Sequence, residues 1–266
     1  MQSYNNIDKK IHQLCQIIAK VNRSLVPKKE DDSHTNLYFE SIEKRIYGRW
    51  FEQNNSDFIF ALDLIDFNFL LLDDSKEIVK QFQIEGKNFI EIEKEIEAYF
   101  QSLDFSIEGL MKELHFEIPS YSFADSIWAK PEINVLNTWM DYRTLANEIC
   151  ILLLGIAQVQ GEVRIWPHHF DTGIYFKAKR KLGIGFGLAM EDDMANNSYF
   201  YISAYPENYN IQYENLPDHD HWKWEISNNW KGGILTLNEL DEKPYEEKKK
   251  LLIDFINTTY HWIIKR

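Results

Sequence analysis

Apolar residues recur at three- and four-residue spacing at the start of the chain, at Ile7, Ile11, Leu14, Ile18, Val21 and Leu25. That spacing predicts an amphipathic helix over residues 7–24, stopped by Pro27. The period then falls to two. Apolar and β-branched runs at 37–41, 57–65, 67–72 and 77–84, the last two separated by Asp73-Asp74-Ser75, predict consecutive antiparallel strands. Asn88 with Glu91 three residues on is a capping box, and Ile92, Ile96, Tyr99, Phe100 and Leu103 form the buried stripe of the helix it opens. One more strand is expected at 111–119, and the aperiodic stretch 120–131 reads as a linker.

The second half repeats the order. A long helix is expected at 132–159, apolar nearly all round in its C-terminal part and therefore deeply buried. Alternation at 170–177, 182–190 and 199–205 predicts a three-strand meander, with a further strand at 233–237. Pro244 opens a last helix whose inner face carries Leu252, Phe255, Ile256, Thr259, Trp262 and Ile263. The expected fold class is thus α+β, in two similar halves, each helix, antiparallel meander, helix, as in a pseudo-twofold duplication. The boundaries are 1–119, linker 120–131, and 132–266, the last carrying the candidate site.

Composition narrows the function classes. With 44% hydrophobic and 15% aromatic residues, the 266-residue chain has ample material for a core. A formal charge of −13 argues against nucleic acid and anionic membranes as partners, though not against a local basic pocket. Two cysteines, Cys15 and Cys150, both within helical patterns, suit a reduced cytoplasmic protein and exclude a cysteine metal cluster. The longest apolar run, 149–157, contains Gly155 and is too short to span a bilayer.

Candidate chemistry concentrates between Trp166 and Pro206. A hairpin turn centred on Arg180 and Lys181 would set Asp171 opposite Met190 and His169 opposite Asp192. His168, His169, Asp171, Glu191, Asp192, Ser198 and Tyr199 would then share one end of the sheet. Imidazoles beside carboxylates suit general acid–base chemistry, with His169 as base and Asp171 or Asp192 as its orienter. They also suit a divalent metal, with His168, His169 and Asp171 as donors, joined by His219 and His221 of the Asp218-His219-Asp220-His221 tract. Trp166, His168, Tyr199 and Tyr201 would wall a small-ligand pocket, and Lys20 would present a cation to an acidic ligand. Structural readings stand beside these: a satisfied core histidine, a turn-capping Asp171, a solvated loop at 218–221, and a Lys20 that complements its helix dipole.

The glycines at 183, 185 and 187 alternate on a strand without a following Lys-Ser/Thr, so they form no phosphate loop. They leave a bare strip across which Tyr201 or Trp166 can lie. No serine nucleophile motif is present, and neither cysteine has an activating neighbourhood. Without a catalytic motif, a non-catalytic interaction or scaffold domain is the alternative, with eight tryptophans and fourteen tyrosines available for an interface.

Several motifs resemble an uncharacterised bacterial family of unknown function: Lys20-Val21, Leu25, Pro27, Leu37-Tyr38 and Asp63-Leu64-Ile65-Asp66 in the first half. In the second half they are Trp166-Pro167-His168-His169-Phe170-Asp171 and Tyr199-Phe200-Tyr201-Ile202-Ser203-Ala204-Tyr205-Pro206. The resemblance implies a bacterial, cytosolic α+β protein and no particular activity. The chain departs from the pattern at Asn22, where a basic residue is usual, and at Phe67, where a histidine is usual. It departs again at 30–34, where only His34 remains of a His/Trp-rich stretch. The resemblance therefore implies a degraded first-half site and shifts weight onto 166–171.

Overall fold

A computed structural model describes residues 1–105, 107, 109–178 and 181–266. Helix α1 (Gln2–Leu25) starts earlier than the periodicity predicts, because Tyr4 and Ile7 extend the buried stripe of Ile11, Leu14 and Ile18. Six strands follow: β1 (Tyr38–Glu40), β2 (Arg45–Tyr47), β3 (Phe51–Gln53), β4 (Ser56–Asp63), β5 (Asn68–Asp73) and β6 (Ile78–Gln83). They form an antiparallel sheet in the order β1-β2-β4-β5-β6, with β3 also paired to β4. Strands β2 and β3 escape a reading by alternation because each is three residues long. Phe60, Phe69, Phe82 and Phe100 are all fully buried, and Phe60 contacts the other three rings with centroids 5.5–6.0 Å apart. Helix α2 (Phe89–Ser102) carries Phe100, and its capping box is formed as expected, with Asn88 and Glu91 exchanging side chain-to-backbone bonds of 2.9 and 2.8 Å.

The strand expected at 111–119 does not form; the segment is turn and irregular chain. Its carbonyls bond to a guanidinium rather than to a neighbouring strand. Arg23 donates to Gly109 O at 2.6 Å, to Lys112 O at 2.8 Å and also to Glu113 O.

Helix α3 (Ile133–Ala157) leads to β7 (Arg164–Ile165), β8 (Thr172–Ala178), β9 (Leu182–Ala189), β10 (Tyr199–Pro206), β11 (Lys223–Ile226), β12 (Lys231–Thr236) and helix α4 (Tyr245–Ile263). The second antiparallel sheet runs β11-β12-β10-β9-β8-β7. Phe255 and Thr259 of α4 pack so closely on Gly233 that a Cβ there would lie 3.1 Å from each. The fold is therefore α+β, and helix, six-stranded antiparallel sheet, helix occurs twice along the chain, which fits a duplication.

The β8–β9 register differs by one residue from the expected one. Thr172 pairs with Leu188 and Gly173 with Gly187, so Asp171 is not level with Met190. Of Arg180 and Lys181, on which the expected turn was centred, Arg180 lies outside the described residues. The physical reason for the register is packing. Ile174, Phe176, Ile184, Phe186 and Leu188 are all buried, while the other face takes the three β9 glycines. There a Cβ on Gly183 would meet the Tyr175 ring, and one on Gly185 would meet Tyr205 and Tyr201, so Tyr201 does lie across the bare strip.

The chain divides into two compact units: Met1–Asn5, Tyr142–Arg164 and Asp171–Arg266 in one, Asn6–Asp141 and Ile165–Phe170 in the other. Among the described residues, no helix is long and apolar enough to cross a membrane. A Cβ at position 187 would approach Thr172 O to 2.5 Å and Gly173 Cα to 2.7 Å, both backbone. Gly187→Ala will therefore lower the urea unfolding free energy by about 2 kcal/mol. Gly155→Ala, in a helix with open space at that position, will raise it by about 0.5 kcal/mol.

Candidate functional site

The motif from Trp166 to Phe170 is a turn that belongs to the same unit as α1 from Asn6 onwards. Leu37 and Ile165 exchange backbone bonds of 2.9 and 2.7 Å. Two residues on, the Pro167 carbonyl accepts from His12 Nε2 and from Gln16 Nε2, each at 2.8 Å and buried. A carbonyl only accepts, so His12 carries its proton on Nε2, and in the neutral ring Nδ1 accepts from the Tyr121 hydroxyl at 2.7 Å. The turn closes with Phe170 N donating to Trp166 O at 2.6 Å. Phe170 sits in the left-handed region, at φ 53°, which costs a non-glycine residue on the order of 1 kcal/mol. Its fully buried ring offsets that cost by stacking on His12 at 5.0 Å and on Trp139 at 6.3 Å.

This anchoring leaves His168 half-buried and His169 exposed at the tip. The two rings are 4.2 Å apart, and His168 also touches Trp166 at 6.1 Å and Phe116 at 5.5 Å. Phe116 in turn meets His115, whose Nε2 lies 3.2 Å from Asp32 Oδ2. Burial, reinforced by the neighbouring His169 and His115, pushes His168 down to about 4, with Asp32 opposing weakly. His34, buried in the turn after Asp32, is also lowered, chiefly by burial and against the pull of Asp32. Four histidines, Asp32 and two aromatic rings thus form one patch. His115, Asp32 and Phe116 were missed in the sequence, where nothing marks the irregular stretch after Leu110 as a partner for residue 168.

The carboxylates expected beside these imidazoles belong to the other unit, where each is bonded to a tyrosine. Asp171 Oδ2 accepts from Tyr201 Oη at 2.6 Å. Gly173 makes room for that bond, since a Cβ there would lie 3.3 Å from both atoms. Asp192 Oδ2 accepts from Tyr199 Oη at 2.6 Å, while its Oδ1 takes the turn amides of Met194 and Ala195 at 2.9 and 3.3 Å. Burial and the adjacent carboxylates push both phenols up. Cys150, fully buried, is pushed up by burial and by Asp171, which makes it a poor nucleophile.

No protein-family model, curated protein or solved structure matches this chain.

The remaining candidates have partners of their own. Lys20 Nζ lies 2.6 Å from Glu93 Oε1, with both side chains largely buried. His219 stacks on Trp222 at 3.4 Å, and its Nε2 lies 3.5 Å from Asp254 Oδ2. His221 Nδ1 is 2.9 Å from Glu239 Oε2. Among the described residues, no three His, Cys, Asp or Glu side chains converge so as to hold a metal ion.

The lowered His168 has a stability consequence whose sign is fixed. Between the unfolded value, about 6.5, and the folded value, about 4, only the unfolded chain binds this proton. Stability will therefore fall as pH drops through that window, by about 1 kcal/mol from His168 once screening of a half-exposed ring is allowed for. His168→Phe will flatten this part of the profile in urea unfolding measured from pH 7 to pH 4.

Proposed function

We propose that the protein binds a small ligand at the imidazole patch around Trp166, His168 and His169, bordered by Asp32, His115 and Phe116. The observation that carries this reading is the state of His168. Held between aromatic rings and beside two other imidazoles, it is neutral at physiological pH and acts there as a hydrogen-bond acceptor or base, not as an acid. The fitting ligand presents a hydrogen-bond donor to His168 and an apolar face to Trp166 and Phe116. Where that donor is a hydroxyl or water next to an electrophilic centre, the same imidazole takes its proton, which is the hydrolytic or acid–base version of the reading. The exposed His169 is the first group a ligand meets.

The test is a fragment screen read from the ring signals of 13C-histidine-labelled protein. Binders will move the signals of His168, His169 and His115 and leave those of His219 and His221 in place. His169→Ala combined with His168→Phe will weaken them about tenfold or more. Binders that leave all three patch signals still would sink the reading.

A further inference from the structure

One hollow among the described residues is lined by basic side chains and by no Asp or Glu. It lies at the C-terminal end of α4, has a volume of 310 Å³, and is lined by Pro217, Asn257, Thr258, His261, Trp262, Lys265 and Arg266. Basic side chains in or just beyond a last helical turn, as His261, Lys265 and Arg266 are here, ordinarily do no more than complement the helix dipole. Here they stand around a fixed aromatic floor. The Trp262 indole is largely buried, donates from Nε1 to Asn215 O at 3.3 Å, and packs on Tyr213 at 5.5 Å and Trp224 at 5.1 Å. The Arg266 guanidinium lies 4.5 Å from that indole and also reaches Glu214 O at 3.4 Å, which limits its freedom. His261 donates from Nδ1 to Asn257 O at 2.7 Å, so its ring too is oriented.

We propose that this hollow is a binding site for a small planar carboxylate. Its volume is at the low end of small-molecule sites, which suits a ligand of one ring. A planar ring stacks beside Trp262 and Pro217, while the carboxylate meets the fork of Arg266, whose paired N–H groups match two carboxylate oxygens. Lys265 adds a mobile second cation. The same charges disfavour a neutral analogue of equal shape, because it leaves the guanidinium and ammonium without a counter-charge. This site lies within the unit that holds α4 and does not depend on the imidazole patch.

The test is titration of protein carrying 15N-labelled indoles with sodium benzoate, and separately with benzamide. Benzoate will shift the Trp262 Nε1–H signal, and benzamide will bind about tenfold more weakly or worse. Affinity for benzoate will fall as NaCl is raised. The double variant Lys265→Gln, Arg266→Gln alters two exposed side chains and will lose about tenfold in benzoate affinity, with the Trp139 indole signal unmoved as a check on folding. Equal affinity for benzamide and benzoate, an unchanged affinity in the double variant, or no Trp262 shift at about 20 mM benzoate overturns the proposal.

Discussion

One carbonyl oxygen holds the Trp166–Phe170 turn in place. Pro167 has no N–H to spend on secondary structure, and its C=O has both acceptor directions filled from α1, by His12 and by Gln16. Both bonds are buried, so losing both donors would leave the carbonyl unsatisfied in a dry interior at a cost of about 1–3 kcal/mol. The positions of Trp166, His168 and His169 follow from that attachment. His12 is the hinge of the arrangement, with one nitrogen committed to Pro167, the other to Tyr121, and its face to Phe170.

The two sets of polar side chains are treated differently by their surroundings. Asp171 and Asp192 are each held by a short bond from a phenol, and Asp192 also serves two amides of its own turn. Such carboxylates order a structure. His168 has rings and other imidazoles around it, and burial keeps it neutral. A neutral imidazole at a half-open surface is chemically available in a way that a doubly bonded carboxylate is not.

Much of the fold was legible because long periodic segments are hard to misread. The pattern from Ile7 to Leu25, the Asn88–Glu91 box and the alternation in β8 to β10 each point one way, and each forms as read. The failures have physical causes. Strands of three residues carry too little alternation to register. Residues 111–119 alternate as a strand would, yet Arg23, from a helix far away in sequence, takes carbonyls there. The one-residue difference in the β8–β9 pairing reverses which face Asp171 shares, so its bond to Tyr201 was invisible while the link to Met190 looked plausible. The candidate site was legible only as the turn 166–170. Its companions Asp32, His115 and Phe116 come from irregular chain, whose course no periodicity encodes.

The membership of the two units bears on how the protein is made. The unit built on residues 6–141 also needs Ile165–Phe170, and the other needs Met1–Asn5, whose Asn5 side chain bonds Glu191 and Ser198. Neither is a contiguous stretch of nascent polypeptide. A ribosome that has released residues up to 141 has not yet supplied the acceptor for His12 and Gln16, and Asn5 must wait until residue 198 has been made. On the ribosome, the early part of this chain must persist with those partners still missing.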